Sequence, residues 1–227
     1  TKLFILCSPH NPVGRVWTRH ELERMSEVCL RHGVLVISDE IHFDIVYGGV
    51  HTVYATISRE AEENSIVCTA PSKTFNVPGL LTSNIVIKNK ELRDKFKKEM
   101  QFCCEFFNPV GVEACRGAYE SGDEWVDQMR EYIGGNMRLL QDEMAKKLPE
   151  TVVTKAEGTY LAWLDLSFLG MTDAELASFV KDRAKIAVNP GYIYGSGGSG
   201  HIRLNVGCPK RYVTQAVDRL SQAVREL

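Results

Sequence analysis

Short apolar runs recur through the first part of the chain, each ending in polar or turn-forming residues, with stretches of helical spacing between them. Lys2 to Cys7, Val34 to Ser38, Ser65 to Thr69 and Asn84 to Ile87 have the length and composition of strands. The first is closed by Ser8-Pro9 and the second by Asp39-Glu40. Thr18 to His32 places Leu22, Met25, Val28 and Cys29 on one helical face, with Thr18 and Glu21 spaced as a capping box and Gly33 as the stop. Strands alternating with helices predict an α/β architecture with a mostly parallel sheet covered on its faces.

From about Lys90 the pattern turns helical, over Glu91 to Glu105, Val110 to Ser121 and Asp123 to Lys147, the last long enough to bridge two domains. Past Pro149, Val152-Val153 and Thr159 to Leu166 predict a strand pair. A helix over Thr172 to Ala184, an apolar run Ile186 to Val188, a strand His201 to Val206 and a helix from Pro209 follow. The change of texture divides the chain into residues 1–131, an α/β part, and residues 132–227, a smaller α+β part. The first strand is entered almost at once, without a leading Met, so the sequence is expected to be the C-terminal portion of a longer protein.

Composition narrows the function classes. The 227 residues suffice for one large or two small domains, and a net charge of -2 gives no electrostatic case for nucleic acid or an anionic membrane. No apolar run is long enough to span a bilayer, and nothing resembles a signal peptide. Seven cysteines lie scattered without a CxxC pair or the spacing of a disulfide framework, which predicts reduced thiols and a cytoplasmic protein. No HExxH or Cys/His cluster points to a metal.

In open α/β sheets, ligands bind beyond the carboxyl ends of the strands. Asn11, Asp39, His42 and Lys73 all fall at or just after such ends. A lysine leaving a buried strand must be exposed, paired or used chemically, because an unpaired buried charge is costly. Asp39 suits a turn or helix cap, or a carboxylate held near a cationic nitrogen. Asn11 suits an Asn-Pro turn with Gly14 relieving the backbone, or an amide donating to a ligand oxygen. Arg203, between Ile202 and Leu204, suits a structural salt bridge or a bidentate clamp for a substrate carboxylate. The run GSGGSG, 195–200, lacks the Lys-Ser/Thr ending of a phosphate loop and opens no GxGxxG helix, so it is taken as a flexible turn.

Five segments, NPVGR at 11–15, SDEIHFD at 38–44, SKTFNVPG at 72–79, GTYLAWLD at 158–165 and HIRLNVGCPK at 201–210, together resemble the class I/II aminotransferase family of pyridoxal-phosphate enzymes, fold type I, in order and spacing. Within it, DEIHFD and GTYLAWLD resemble the cystathionine β-lyase-like (C–S lyase) branch. The likeness extends over essentially the whole chain. It implies the C-terminal part of a large cofactor-binding domain followed by a small domain. It also implies that Lys73 bonds covalently to the aldehyde of pyridoxal 5'-phosphate and serves as the catalytic base. By the same resemblance Asp39 pairs with the pyridinium nitrogen, Asn11 meets the phenolic oxygen across a cis Asn11–Pro12 bond, and His42 and Ser72 are further cofactor contacts. Arg203, with Asn11, holds the substrate. The implied reaction is β-elimination on a sulfur amino acid such as cystathionine or cysteine, giving pyruvate, ammonia and a thiol. Transamination is the alternative, and an inactive fragment or a regulatory protein that kept the fold is a second one. A homodimer is implied for the intact protein. The family's serine three residues before the lysine and arginine eight after it are Ala70 and Leu81 here, which moves weight for the phosphate onto Ser72 and onto groups upstream.

Overall fold

In the computed structural model, which describes residues 1–103 and 108–227, the apolar runs become strands. The order is β1 (Leu3–Cys7), α1 (Arg19–Arg31), β2 (Leu35–Asp39), α2 (Arg59–Glu63), β3 (Ser65–Thr69), α3 (Pro71–Thr74), β4 (Asn84–Val86), α4 (Lys90–Phe102) and α5 (Pro109–Ser121). β1, β2 and β3 pair in parallel, and β4 adds an antiparallel edge beside β3. The helical pattern of 91–105 runs to Phe102, and its last two positions lie outside the described residues.

α1 is positioned at both ends and along its face. The Thr18 hydroxyl accepts the Glu21 N–H while the Glu21 carboxylate accepts the Thr18 N–H at 2.8 Å, which is the capping box. Leu22 and Cys29 pack with Leu6, Val34 and Val36, and Tyr54, Ile57 and Ala61 complete this core. Burying a leucine of this kind stabilises by about 1.5–3 kcal/mol. Val28, expected on the same face, is instead 53% exposed.

α6 (Asp123–Lys147) contains the division between two units, one made of Thr1–Pro9 and Arg15–Met129, the other of His10–Gly14 and Arg130–Leu227. The segment His10–Gly14 joins the second unit through backbone contacts. The Gly14 carbonyl accepts the N–H groups of Glu157 (2.9 Å) and Gly158 (3.1 Å). Gly14 has φ +73°, and a Cβ there would stand 2.5 Å from the Ala156 side chain, so only glycine permits this approach.

The second unit continues with β5 (Val152–Val153), β6 (Leu161–Asp165), α7 (Asp173–Ser178), β7 (Asn189–Pro190), β8 (His201–Asn205) and α8 (Lys210–Arg225). Its sheet has the order β5-β6-β8-β7 and every pairing is antiparallel. Ile133, Met137, Leu140 and Met144 of α6, Val213, Val217 and Leu220 of α8, and Leu164, Ile202 and Leu204 of the sheet are buried as its core. Inside this apolar layer Asn136 is 1% exposed and donates to the carbonyls of Val206 (2.9 Å) and Cys208 (2.8 Å), fixing the exit of β8.

Two expectations fail locally. The helix predicted to run to Ala184 is α-helical only to Ser178 and passes into a π-helical turn, Phe179–Arg183. The apolar run Ile186 to Val188 is not a strand; the paired residues are the next two, Asn189 and Pro190. The glycine-rich run forms a short 3₁₀ turn, Ser196–Gly198, after another at Gly191–Tyr194. A Cβ on Gly191 would collide with the Gly198 carbonyl, and one on Gly198 with the Gly191 carbonyl.

Candidate active site

The parallel strands of the first unit deliver two of the predicted residues to one edge. Cys7, Asp39 and Cys68 are paired across β1, β2 and β3, so Asp39 ends β2 at the carboxyl edge, and α3 with Lys73 begins just past the same edge of β3. Adjacent strands lie about 4.8 Å apart. Asp39 and the start of α3 therefore leave the sheet side by side. The Asp39 carboxylate accepts the Ile41 N–H at 3.3 Å and has no ion-pair partner among the described residues. Lys73, partly buried, makes no hydrogen bond or ion pair with any of them. Burial, followed by the nearby carboxylates of Asp39 and Glu40, pushes the Cys68 thiol up, which keeps it protonated.

The residues after Lys73 fix its turn. Thr74, fully buried, donates its hydroxyl to Asp44 at 2.8 Å. The Phe75 ring meets Tyr119 of α5 edge-on (5.2 Å) and stacks with Trp125 of α6 (5.8 Å). Burial, with smaller contributions from Asp44 and Cys115, pushes the Tyr119 hydroxyl up to about 12, so that ring is a neutral packing surface. Glu40 does the same for the segment after Asp39. Its buried carboxylate accepts from Ser38 Oγ (2.8 Å) and the Tyr54 N–H (2.9 Å) and lies 2.8 Å from His51 Nε2. His42 is 2% exposed in the turn between them, its carbonyl accepting the Ile45 N–H. Ser72 is partly buried in α3, whose N-cap is Ala70 with no side-chain cap, and Leu81 is 88% exposed.

In the second unit Arg203 takes neither a structural carboxylate nor a place in solvent. Its Nη1 donates to Asn11 Oδ1 and its Nη2 to Asn189 Oδ1, both at 2.7 Å, and the guanidinium lies over the Tyr194 ring, 5.0 Å from the centroid. Its Nε is buried and has no partner among the described residues. Arginine has no acceptor, so Asn11 must turn its oxygen toward Arg203 and its NH₂ elsewhere. That NH₂ meets no described residue. Burial pushes the Tyr160 hydroxyl up while neighbouring Arg203 pulls it back. The Ser8–Pro9 and Asn11–Pro12 peptide bonds are both cis.

Asn11 and Arg203 thus meet in one unit, and Asp39, His42, Ser72 and Lys73 all belong to the other. Asn189, Tyr194, Asp44, Thr74, Phe75 and Glu40 were not singled out from sequence. The only available signals were the position of Asp44 and Glu40 inside SDEIHFD and of Thr74 and Phe75 inside SKTFNVPG. Among the described residues no group of three or more His, Cys, Asp or Glu side chains could hold a metal, and no helix is long and apolar enough to cross a membrane.

The chain is similar to known proteins. The chain is 41% identical over 224 residues to cystathionine beta-lyase PatB of Bacillus subtilis (strain 168), covering 98% of the chain and 58% of that protein. It is 38% identical over 227 residues to protein MalY of Escherichia coli (strain K12), covering 99% of the chain and 57% of the relative. The crystal structure of cystalysin from Treponema denticola, which contains pyridoxal 5'-phosphate, superposes with a TM-score of 0.96 at 37% identity over 99% of this chain and 58% of that one. A PLP-bound C-S lyase from Staphylococcus hominis gives 0.90 at 33% identity, covering 98% of this chain and 57% of its own. The chain spans well under two thirds of the length of these relatives. With the model of aminotransferase class I and II matching residues 1–220, the protein belongs to the class I and II aminotransferase family.

Proposed function

We propose that the protein works with pyridoxal 5'-phosphate as a carbon–sulfur lyase, eliminating the β-thiol of cystathionine or cysteine to yield pyruvate, ammonia and the free thiol. The observation that carries this is the set of three partly buried charges, Asp39, Lys73 and Arg203, none of which has an opposite charge among the described residues. Such charges are expensive unless a ligand answers them. The cofactor fits the first two: a carboxylate for a ring nitrogen and an amine for an aldehyde, with His42 and Ser72 as further contacts and the Asn11 NH₂ for the phenolic oxygen. A substrate carboxylate fits the third.

When bound, the cofactor supplies a ring that withdraws electrons from the substrate Cα. Asp39 keeps a proton on the ring nitrogen by pairing with it. Arg203 grips the α-carboxylate with the N–H groups that Asn11 and Asn189 leave free. The Lys73 amine removes the Cα proton as general base, and the thiol departs from Cβ. Ala70 and Leu81 offer a phosphate no side-chain donor, so Ser72 is the contact assigned to it in this chain.

Transamination shares the proton abstraction, and it is the second reading because the relatives include the aspartate aminotransferase of Geobacillus stearothermophilus at 28% identity. Incubation with L-cystathionine separates the two. Pyruvate and free thiol form without any 2-oxo acid if the protein is a lyase; product that requires such an acceptor overturns that assignment. We also infer a cytoplasmic protein, from its scattered cysteines, and a homodimer, from Val110 and Val112, which α5 leaves 67% and 43% exposed. Light scattering at the monomer mass would exclude the homodimer.

A further inference from the structure

The surroundings of Arg203 go further than a single clamp residue. We infer that Asn189 and Tyr194 are positioning residues that fix the plane of the Arg203 guanidinium and thereby set a preference for amino acids with a free α-carboxylate over their amides. The inference rests on the assignment of Arg203 to the substrate carboxylate.

A guanidinium recognises a carboxylate through two parallel N–H donors, so its plane decides whether both bonds form. Three neutral groups define that plane here. Asn189 lies directly opposite Arg203 in the β7–β8 register, which places its amide oxygen 2.7 Å from Nη2. Asn11 takes Nη1 at 2.7 Å, and the Tyr194 ring supports the flat face at 5.0 Å. Tyr194 is itself braced, edge-on to Trp163 (5.6 Å, 85°), and Trp163 stacks on His201 (5.2 Å, 18°). None of the groups holding the guanidinium is an acid, so its orientation is fixed while its charge is left for an incoming anion. An acidic residue at 189 would hold the plane equally well but would compete with the ligand.

The test compares turnover of S-ethyl-L-cysteine with that of its carboxamide in the cofactor-loaded protein, together with calorimetric binding of N-acetyl-S-ethyl-L-cysteine, which offers a carboxylate but no free amine. Tyr194→Leu and Asn189→Ala are expected to lower the acid-to-amide ratio of kcat/KM at least tenfold, chiefly through KM for the acid, and to weaken binding of the N-acetyl compound at least fivefold. Tyr194→Phe, which keeps the ring face, should restore both. Amide turnover is the internal reference within each variant, so a merely unfolded protein does not mimic the result. An unchanged ratio and unchanged binding in both Tyr194→Leu and Asn189→Ala overturn the positioning role. Arg203→Met separates the two levels: if it keeps the acid preference, the assignment of Arg203 itself fails, whereas if it alone loses that preference, only the role of Asn189 and Tyr194 does.

Discussion

At the scale of single residues, the candidate site holds three partly buried charges, Asp39, Lys73 and Arg203, that have no ion-pair partner among the described residues. Surface cations such as Lys90 and Lys95 sit in i,i+4 pairs with Asp94 and Glu91, whereas Lys73 has no such partner. On the proposed function, Lys73→Ala should remove the absorbance band that depends on the bond between cofactor and lysine and lower elimination by at least about a hundredfold, the lower end of what a positioned base contributes; a visible spectrum and a pyruvate assay check both. His10 behaves differently. It is partly buried, its Nδ1 lacks a partner among the described residues, and burial holds its pKa below the ordinary 6.5. The unfolded chain then binds the proton more readily than the native one, so stability is complete above about 6.5 and falls as the pH drops toward the native value. Thermal melts between pH 7.5 and 5.5 should show this loss, and His10→Gln should reduce it. The sequence singled out Asn11, Asp39, His42 and Lys73 because each falls at or just after the end of an apolar run, and Arg203 because it lies within one; the partners that orient them carried no such signal. Thr74 and Asp44 are thirty positions apart, and no periodicity links them.

Whole elements were legible wherever apolar spacing was regular, as in α1, α6 and β3, and misread where tertiary pairing overrode it. Ile186 and Val188 have the composition of a strand, yet the ladder to β8 is made by Asn189 and Pro190. Strand direction is not encoded by an apolar run at all, which is why the antiparallel entry of β4 had no sequence signal. The capping box of α1 was readable, and Thr18→Ala should cost about 1 kcal/mol in denaturant unfolding. Asn136 was not, since a lone asparagine in a helical pattern carries no sign of its partners. Replacing it with alanine leaves two carbonyls near the end of β8 unsatisfied, for an expected loss of about 1–3 kcal/mol, measurable by urea titration.

For the whole molecule, the expected boundary at 131/132 and the observed division at Met129/Arg130 both lie within one continuous helix, but the transfer of His10–Gly14 to the second unit could not be read from the sequence. It depends on backbone hydrogen bonds to Glu157 and Gly158, which leave no trace in composition. Two cores should accordingly be visible by hydrogen exchange, one at β2 and β3 and one at β6 and β8, with β1 faster because Leu3, Phe4 and Ile5 are 41%, 36% and 64% exposed. Uniform protection over all four strands of the first sheet would contradict this. The contact between Gly191 and Gly198 has a consequence of its own. Because the main chain touches itself there, even one added methyl must force apart the turn that carries Tyr194. On the proposed function, recognition of the substrate carboxylate then depends on two positions that present no side-chain functional group, and random mutagenesis should register both as intolerant.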